Sequence, residues 1–170
     1  MAEPNRLVTI IFMLVACISS AVASETVNFQ HLSLNSMFPQ ITINGLYQDE
    51  SGVLWIGTKD GVKKYNGNYI ESVNFMGINN WIQSNLVPTI CGDKKGHLYV
   101  NTDYSIIEYD LIKEESRIIF SQPNTQILPS IAFNYGINSL WIGLLDSVYN
   151  YKEGICQAKY KIDSNNLSIS

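Results

Sequence analysis

Catalytic raw material is scarce in this chain. Only two histidines, His31 and His97, occur in 170 residues. There is no CxxC pair, no HExxH motif and no glycine-rich phosphate loop, which removes the usual sequence signals for zinc, dithiol and nucleotide chemistry. The loop aspartates are not clustered at the spacing of a calcium-binding loop. Charged residues make up 15% of the chain with a net charge of −4, so the basic stripe that a nucleic-acid partner requires is missing. No apolar run reaches the roughly 20 residues of a comfortable membrane span. We therefore expect no catalytic residues, no metal, no cofactor and no enzyme activity.

The start of the chain is different from the rest. A short polar stretch with Arg6 precedes an apolar run from Leu7 to Ala16, and small residues end in Ala21-Val22-Ala23. This is the layout of a secretory signal, which predicts a helix in the leader, cleavage after Ala23 and an exported chain in the periplasm or cell envelope. Leu14-Val15-Ala16-Cys17 also resembles a lipoprotein processing box, so the alternative is a leader ending before an acylated Cys17. Membrane association would come only through that lipid or an uncleaved anchor. The leader contains one Arg and one Glu, so its loss leaves the net charge at −4. Beyond it remain Cys91 and Cys156, in a compartment that allows disulfides. They fall at distant places of the pattern described next, and we expect free, packed thiols.

That pattern is one passage written three times. It reads DESGVLWIGTKDGVKKY around Trp55, DKKGHLYVNTDYSIIEY around Tyr99 and YGINSLWIGLLDSVYNY around Trp141. The aromatics lie 44 and then 42 residues apart, and each is followed ten residues later by a tyrosine: Tyr65, Tyr109 and Tyr151. A period in the low forties built from short apolar strands and turns predicts a propeller with one small antiparallel sheet per repeat. In the first copy, 43–47 and 53–58 are β-prone, with a turn at 49–52 between them. Asp60-Gly61 makes a hairpin into 62–65, and Asn66-Gly67 turns the chain toward a fourth strand within 69–75. The central triplets Leu54-Trp55-Ile56, Leu98-Tyr99-Val100 and Leu140-Trp141-Ile142 are apolar throughout. Alternating side chains face opposite ways, so such triplets call for sheets covered on both faces. Gly52, Gly96 and Asn138 share one turn position, which points to a positive φ there. Asp49 and Asp93 precede that turn, where a carboxylate bonds nearby amides. His97 occupies the place of Val53 and Ser139 and reads as an ordinary surface histidine.

The string INGLYQDESGVLWIGTKDGVKKYNG resembles the two-component regulator propeller repeat through Gln48-Asp49, Gly52, Leu54 to Thr58, Asp60-Gly61 and Tyr65. Phe29-Gln30-His31-Leu32 resembles the segment ahead of the first blade in the periplasmic sensor regions of hybrid two-component regulators. The likeness is strongest in the first copy and weakest in the second, where Tyr99-Val100-Asn101-Thr102 replaces WIGT. It implies an all-β fold: an incomplete β-propeller of about three four-stranded antiparallel blades behind a signal-peptide helix. The organisation is then a leader at 1–23, an N-terminal strand and lead-in at 24–42, repeats at 43–86, 87–128 and 129–164, and the start of a next repeat at 165–170. Closed propellers need about 4 to 8 blades. The chain thus reads as the N-terminal piece of a longer sensor whose remainder is its first partner.

By this resemblance the complete protein detects a glycan-derived ligand and signals to a histidine kinase, and the present chain has no kinase activity of its own. An oligosaccharide is the implied ligand, with no nucleic acid. Trp81, in a linker without a counterpart in the other copies, is the candidate ligand-binding aromatic, and a plug between blades is its other reading. Trp55, Tyr99, Trp141, Tyr65, Tyr109 and Tyr151 are expected to be repeat core rather than a ligand site. Two other readings remain. One is a fragment of a secreted propeller enzyme such as a lyase, the other a small exported scaffold that closes as a homo-oligomer.

Overall fold

Each repeat becomes one antiparallel sheet, in which the strands pair in the order in which they occur in the sequence. The computed structural model describes residues 42–73, 75, 86–121, 129–163 and 166–169, which fall in the unit Phe38–Ser170. The leader with Cys17, His31, nearly all of the 24–42 lead-in, and Trp81 lie outside the described residues. The first blade comprises β1 (Ile43–Gln48), β2 (Leu54–Thr58), β3 (Gly61–Tyr65) and β4 (Ile70–Val73). The second comprises β5 (Ile90–Gly92), β6 (His97–Asn101), β7 (Ser105–Asp110) and β8 (Glu115–Ser121). The third contains β9 (Ser130–Asn134), β10 (Ser139–Gly143), β11 (Ser147–Lys152) and β12 (Ile155–Asp163). It also takes β13 (Asn166–Ile169), the stretch read as the opening of a next repeat, which pairs with β12 as a fifth strand. Among the described residues there is no helix. The fold is an incomplete, all-β propeller of three antiparallel blades.

Turn chemistry sets each blade's first hairpin. Gly52 and Gly96 take φ of 86° and 100°, and Asn138 takes 50° at the same repeat position. Only glycine, and next to it asparagine, enters this left-handed region at low cost. Ahead of the glycine, Asp49 Oδ1 accepts the Ser51 and Val53 amides at 2.9 and 3.0 Å, while Asp93 Oδ1 accepts those of Lys95 and His97 at 2.7 and 2.9 Å. Each carboxylate thus satisfies two amides that the tight turn leaves without a ladder partner.

The blades pack through their central strands. Leu98, Tyr99 and Val100 of the middle blade are all buried, as an apolar triplet covered on both faces requires. One cluster fills the first seam, with Trp55 and Val62 against Leu98, Val100, Ile107 and Tyr109. A second cluster fills the next, with Tyr99 and Ile106 against Ile131, Leu140, Ile142 and Tyr151. The innermost strands β1, β5 and β9 lie side by side. The end of the Tyr47 ring lies over Gly92 where a Cβ would otherwise sit, so a side chain there would push the ring aside. Cys91 and Cys156 are free, and both pack against the second cluster. Burial pushes the Cys91 thiol up to about 12 and raises that of Cys156.

Candidate binding groove between the second and third blades

The same aromatic contact recurs at each seam. Trp55 meets Tyr109 edge-on with ring centroids 6.0 Å apart, and Tyr99 meets Tyr151 at 6.3 Å. The repeat tyrosine of one blade therefore seats the central aromatic of the blade before it. Trp55, Tyr99, Tyr109 and Tyr151 are all buried. Trp141 and Tyr65 hold the corresponding places on the two end blades and are only half-buried. The Trp141 ring stacks on Tyr160 of its own sheet at 6.3 Å, and the Tyr65 hydroxyl donates to the Gly67 carbonyl in its own turn at 2.7 Å.

Beside each central aromatic, the cross-strand register places a polar pair whose chemistry changes from blade to blade. In the first, Lys64 on β3 opposes Glu71 on β4 with an ion pair of 2.7 Å. In the second the signs are reversed, with Glu108 on β7 opposite Arg117 on β8. In the third the pair is uncharged, Asn150 opposite Gln157. Only the middle version joins two blades. Glu108 Oε2 accepts Arg117 Nε at 2.9 Å and the Tyr151 hydroxyl of the next blade at 2.6 Å, while Arg117 Nη2 donates to that hydroxyl at 2.7 Å. Burial, followed by the bond to Glu108, raises the Tyr151 pKa. Burial works against the Arg117 cation, but Glu108 outweighs it and holds the guanidinium pKa above its usual value.

His97 completes this cluster. It opens β6, and the turn carboxylate Asp93, which binds its amide, also holds its ring through Nδ1 at 2.7 Å. The other nitrogen, Nε2, faces Glu108 Oε1 at 4.0 Å, beyond hydrogen-bond distance. Asp93 and Glu108 are buried, whereas the His97 side chain keeps 38% of its surface exposed. His97, Glu108 and Arg117 form a ridge between two hollows of about 270 and 320 Å³. The larger runs along the seam past Asp93, Asn138, Tyr151 and Glu153. The equivalent position at the first seam, a hollow of about 460 Å³, has Val53 in place of histidine and Lys64 in place of glutamate. His97 is thus a held ring at a seam rather than a free surface side chain. The signal for it was present in the sequence, as an aspartate four residues before a histidine across the turn, together with a repeat position that changes from Lys64 to Glu108 to Asn150. Trp81, the aromatic singled out from the sequence, lies outside the described residues.

Comparisons with known proteins agree with the repeat and the blades. Residues 37–60 match the family described as Two component regulator propeller. No curated protein matches the chain in sequence. Among solved structures, the extracellular domain of a proposed hybrid two component system from B. thetaiotaomicron superposes with a TM-score of 0.59 at 17% identity, over 74% of this chain and 17% of that one. A second such domain from the same organism gives 0.54 at 14% identity, over 68% of this chain and 18% of that one. Virginiamycin B lyase from Staphylococcus aureus gives 0.55 at 14% identity, over 71% of this chain and 41% of the enzyme. At these identities the likeness is one of fold, and the chain spans only 17% of the length of the first of them. The matched segment carries the repeat of the two-component regulator propeller family, and the three stacked sheets share the propeller fold of these structures.

Proposed function

We propose that this chain is the N-terminal part of the exported β-propeller sensor region of a hybrid two-component protein, and that the complete region senses a glycan-derived ligand. It acts as a binding module without kinase activity, and its principal partner is the remainder of the same sensor. The observation that carries this reading is the unfinished seam at each end. Two seams are built on an aromatic seated against a tyrosine of the following blade, and Trp141 offers that aromatic once more while Tyr65 offers that tyrosine. A following blade with its own repeat tyrosine would cover Trp141, and the last blade of a closed ring would cover Tyr65. The matched family segment and the shared fold of the two extracellular domains support the sensor setting. The glycan rests on the family resemblance alone.

Sequencing the DNA downstream of the Ser170 codon in all frames tests the sensor setting. Further LWIGT-like repeats, a membrane span and a kinase region are expected. A stop codon followed by unrelated sequence would refute the reading and favour a small self-assembling exported protein. Calorimetric titration of the whole periplasmic region with an oligosaccharide library tests the ligand class, and absence of binding across the library would remove the glycan.

A further inference from the structure

We propose that the seam between the second and third blades is a binding site for an uncharged, polyhydroxylated ligand, gripped through two neighbouring hydroxyl groups by His97 Nε2 and Glu108 Oε1. The inference rests on the sensor reading and assigns it a place in the fold. Asp93 accepts from His97 Nδ1, so in the neutral ring that nitrogen carries the proton and Nε2 presents a lone pair. Glu108 spends Oε2 on Arg117 and Tyr151 and turns Oε1 toward His97. Two acceptors therefore face each other at 4.0 Å at the edge of an open hollow, and with no proton between them neither can satisfy the other. At the edge of that hollow Glu108 Oε1 takes its donor from whatever fills the hollow, water or a ligand hydroxyl.

The chemistry that fits is a pair of adjacent hydroxyls on one molecule, one donating to each acceptor. A hydroxyl also accepts, and the guanidinium of Arg117 and the amide of Asn138 line the same hollow as donors. Charges of both signs surround it, with Asp93, Glu108 and Glu153 against Arg117 and Lys152, so the lining is mixed in sign and does not favour an anion. Its volume of about 320 Å³ lies at the lower end for a small-ligand site. The site is specific to this seam. Val53 and Lys64 at the first seam remove both acceptors, and in the third blade Ser139 and Asn150 are bonded to each other, Asn150 Nδ2 donating to Ser139 Oγ at 2.9 Å. Those same residues show that the fold tolerates other side chains at the His97 position, so His97→Val and His97→Ser are conservative for the architecture.

The test uses the full chain, labelled with nitrogen-15, and follows the imidazole resonances. The chain has only two histidines, so a His31→Asn variant assigns them. Probes are galactose, mannose, xylose and N-acetylglucosamine, with 1-propanol as a hydroxyl compound lacking a neighbouring hydroxyl. The expected result is a saturable shift of the His97 Nε2 signal with at least one sugar and none with 1-propanol. His97→Val and His97→Ser should weaken the same titration, followed by calorimetry, at least tenfold while the far-ultraviolet circular dichroism is unchanged. No saturable shift with any of the four sugars, or equal affinity in the histidine variants, overturns the site. If the whole periplasmic region binds sugar while this groove stays silent, the sensor reading stands and the assignment of this seam falls.

Discussion

Replacing Tyr151 with phenylalanine removes one oxygen and leaves a ring that still fits its seam, which isolates the polar clamp between the second and third blades. The hydroxyl donates to Glu108 Oε2 at 2.6 Å and accepts from Arg117 Nη2 at 2.7 Å. Tyr151 is 5% exposed and Glu108 is 7% exposed, so solvent cannot readily replace either bond. Hydrogen bonds to charged partners contribute about 1.5–3 kcal/mol. Glu108 keeps its two bonds to Arg117 in the variant, which confines the loss to that range instead of stranding a buried charge. Tyr151→Phe should therefore cost about 1.5–3 kcal/mol, read from urea unfolding at an unchanged m-value. For a chain of this size it corresponds to about 3–12 °C in Tm. Alkaline pH supplies a second reading. The folded-state pKa of Tyr151 is raised, so the neutral phenol contributes stability below the unfolded value of about 10, and this is lost as pH rises through the folded value. The variant should lose less stability between neutral pH and about pH 11 than the native chain. A change below about 0.5 kcal/mol, or an identical alkaline slope, would refute the clamp.

Three other outcomes follow from the same structure. Leu98 is completely buried at the centre of the middle blade, and Leu98→Ala should destabilise the chain by about 2–5 kcal/mol in urea unfolding, through lost transfer energy and the cavity left behind. Burial disfavours the Asp49 carboxylate, but bonds from Ser51, Trp55 and Val53 outweigh it and lower its pKa. The stability it provides is present above the unfolded value of about 4 and falls away with pH below it. Asp49→Asn should thus flatten the acid limb followed by tryptophan fluorescence, at a cost of about 1 kcal/mol near neutral pH. Finally, the Cys91 thiol, pushed up to about 12 by burial, should react with iodoacetamide at pH 8 on the order of a hundredfold or more slowly than an exposed thiol. Mass spectrometry of the native chain would show it.

Much of the architecture was legible because its causes are local. Period-two apolar triplets, a glycine or asparagine after each turn and a repeated tyrosine act within a few residues of themselves. Short-range sterics and strand alternation therefore marked out the three sheets and the positive φ at Gly52, Gly96 and Asn138. The same logic placed Asp49 and Asp93 at turns, where their carboxylates hold amides. Turn chemistry alone did not use the spacing of Asp93 and His97, because it accounts for the carboxylate oxygen that holds the amides and not for the second oxygen that reaches the ring.

The sequence by itself determined that this is a repeated, all-β chain. Only the tertiary structure decided what the repeats do to one another. Tyr151 and Glu108 are 43 residues apart, and they meet because the second and third blades pack against each other, which no pattern within one repeat specifies. Stacking also buries Trp55 and Tyr99 while leaving Trp141 half-exposed. It places Cys91 and Cys156 on one cluster. The physical reason is common to all three: burial and polar pairing at a seam belong to two blades at once, whereas the repeat pattern describes each blade alone.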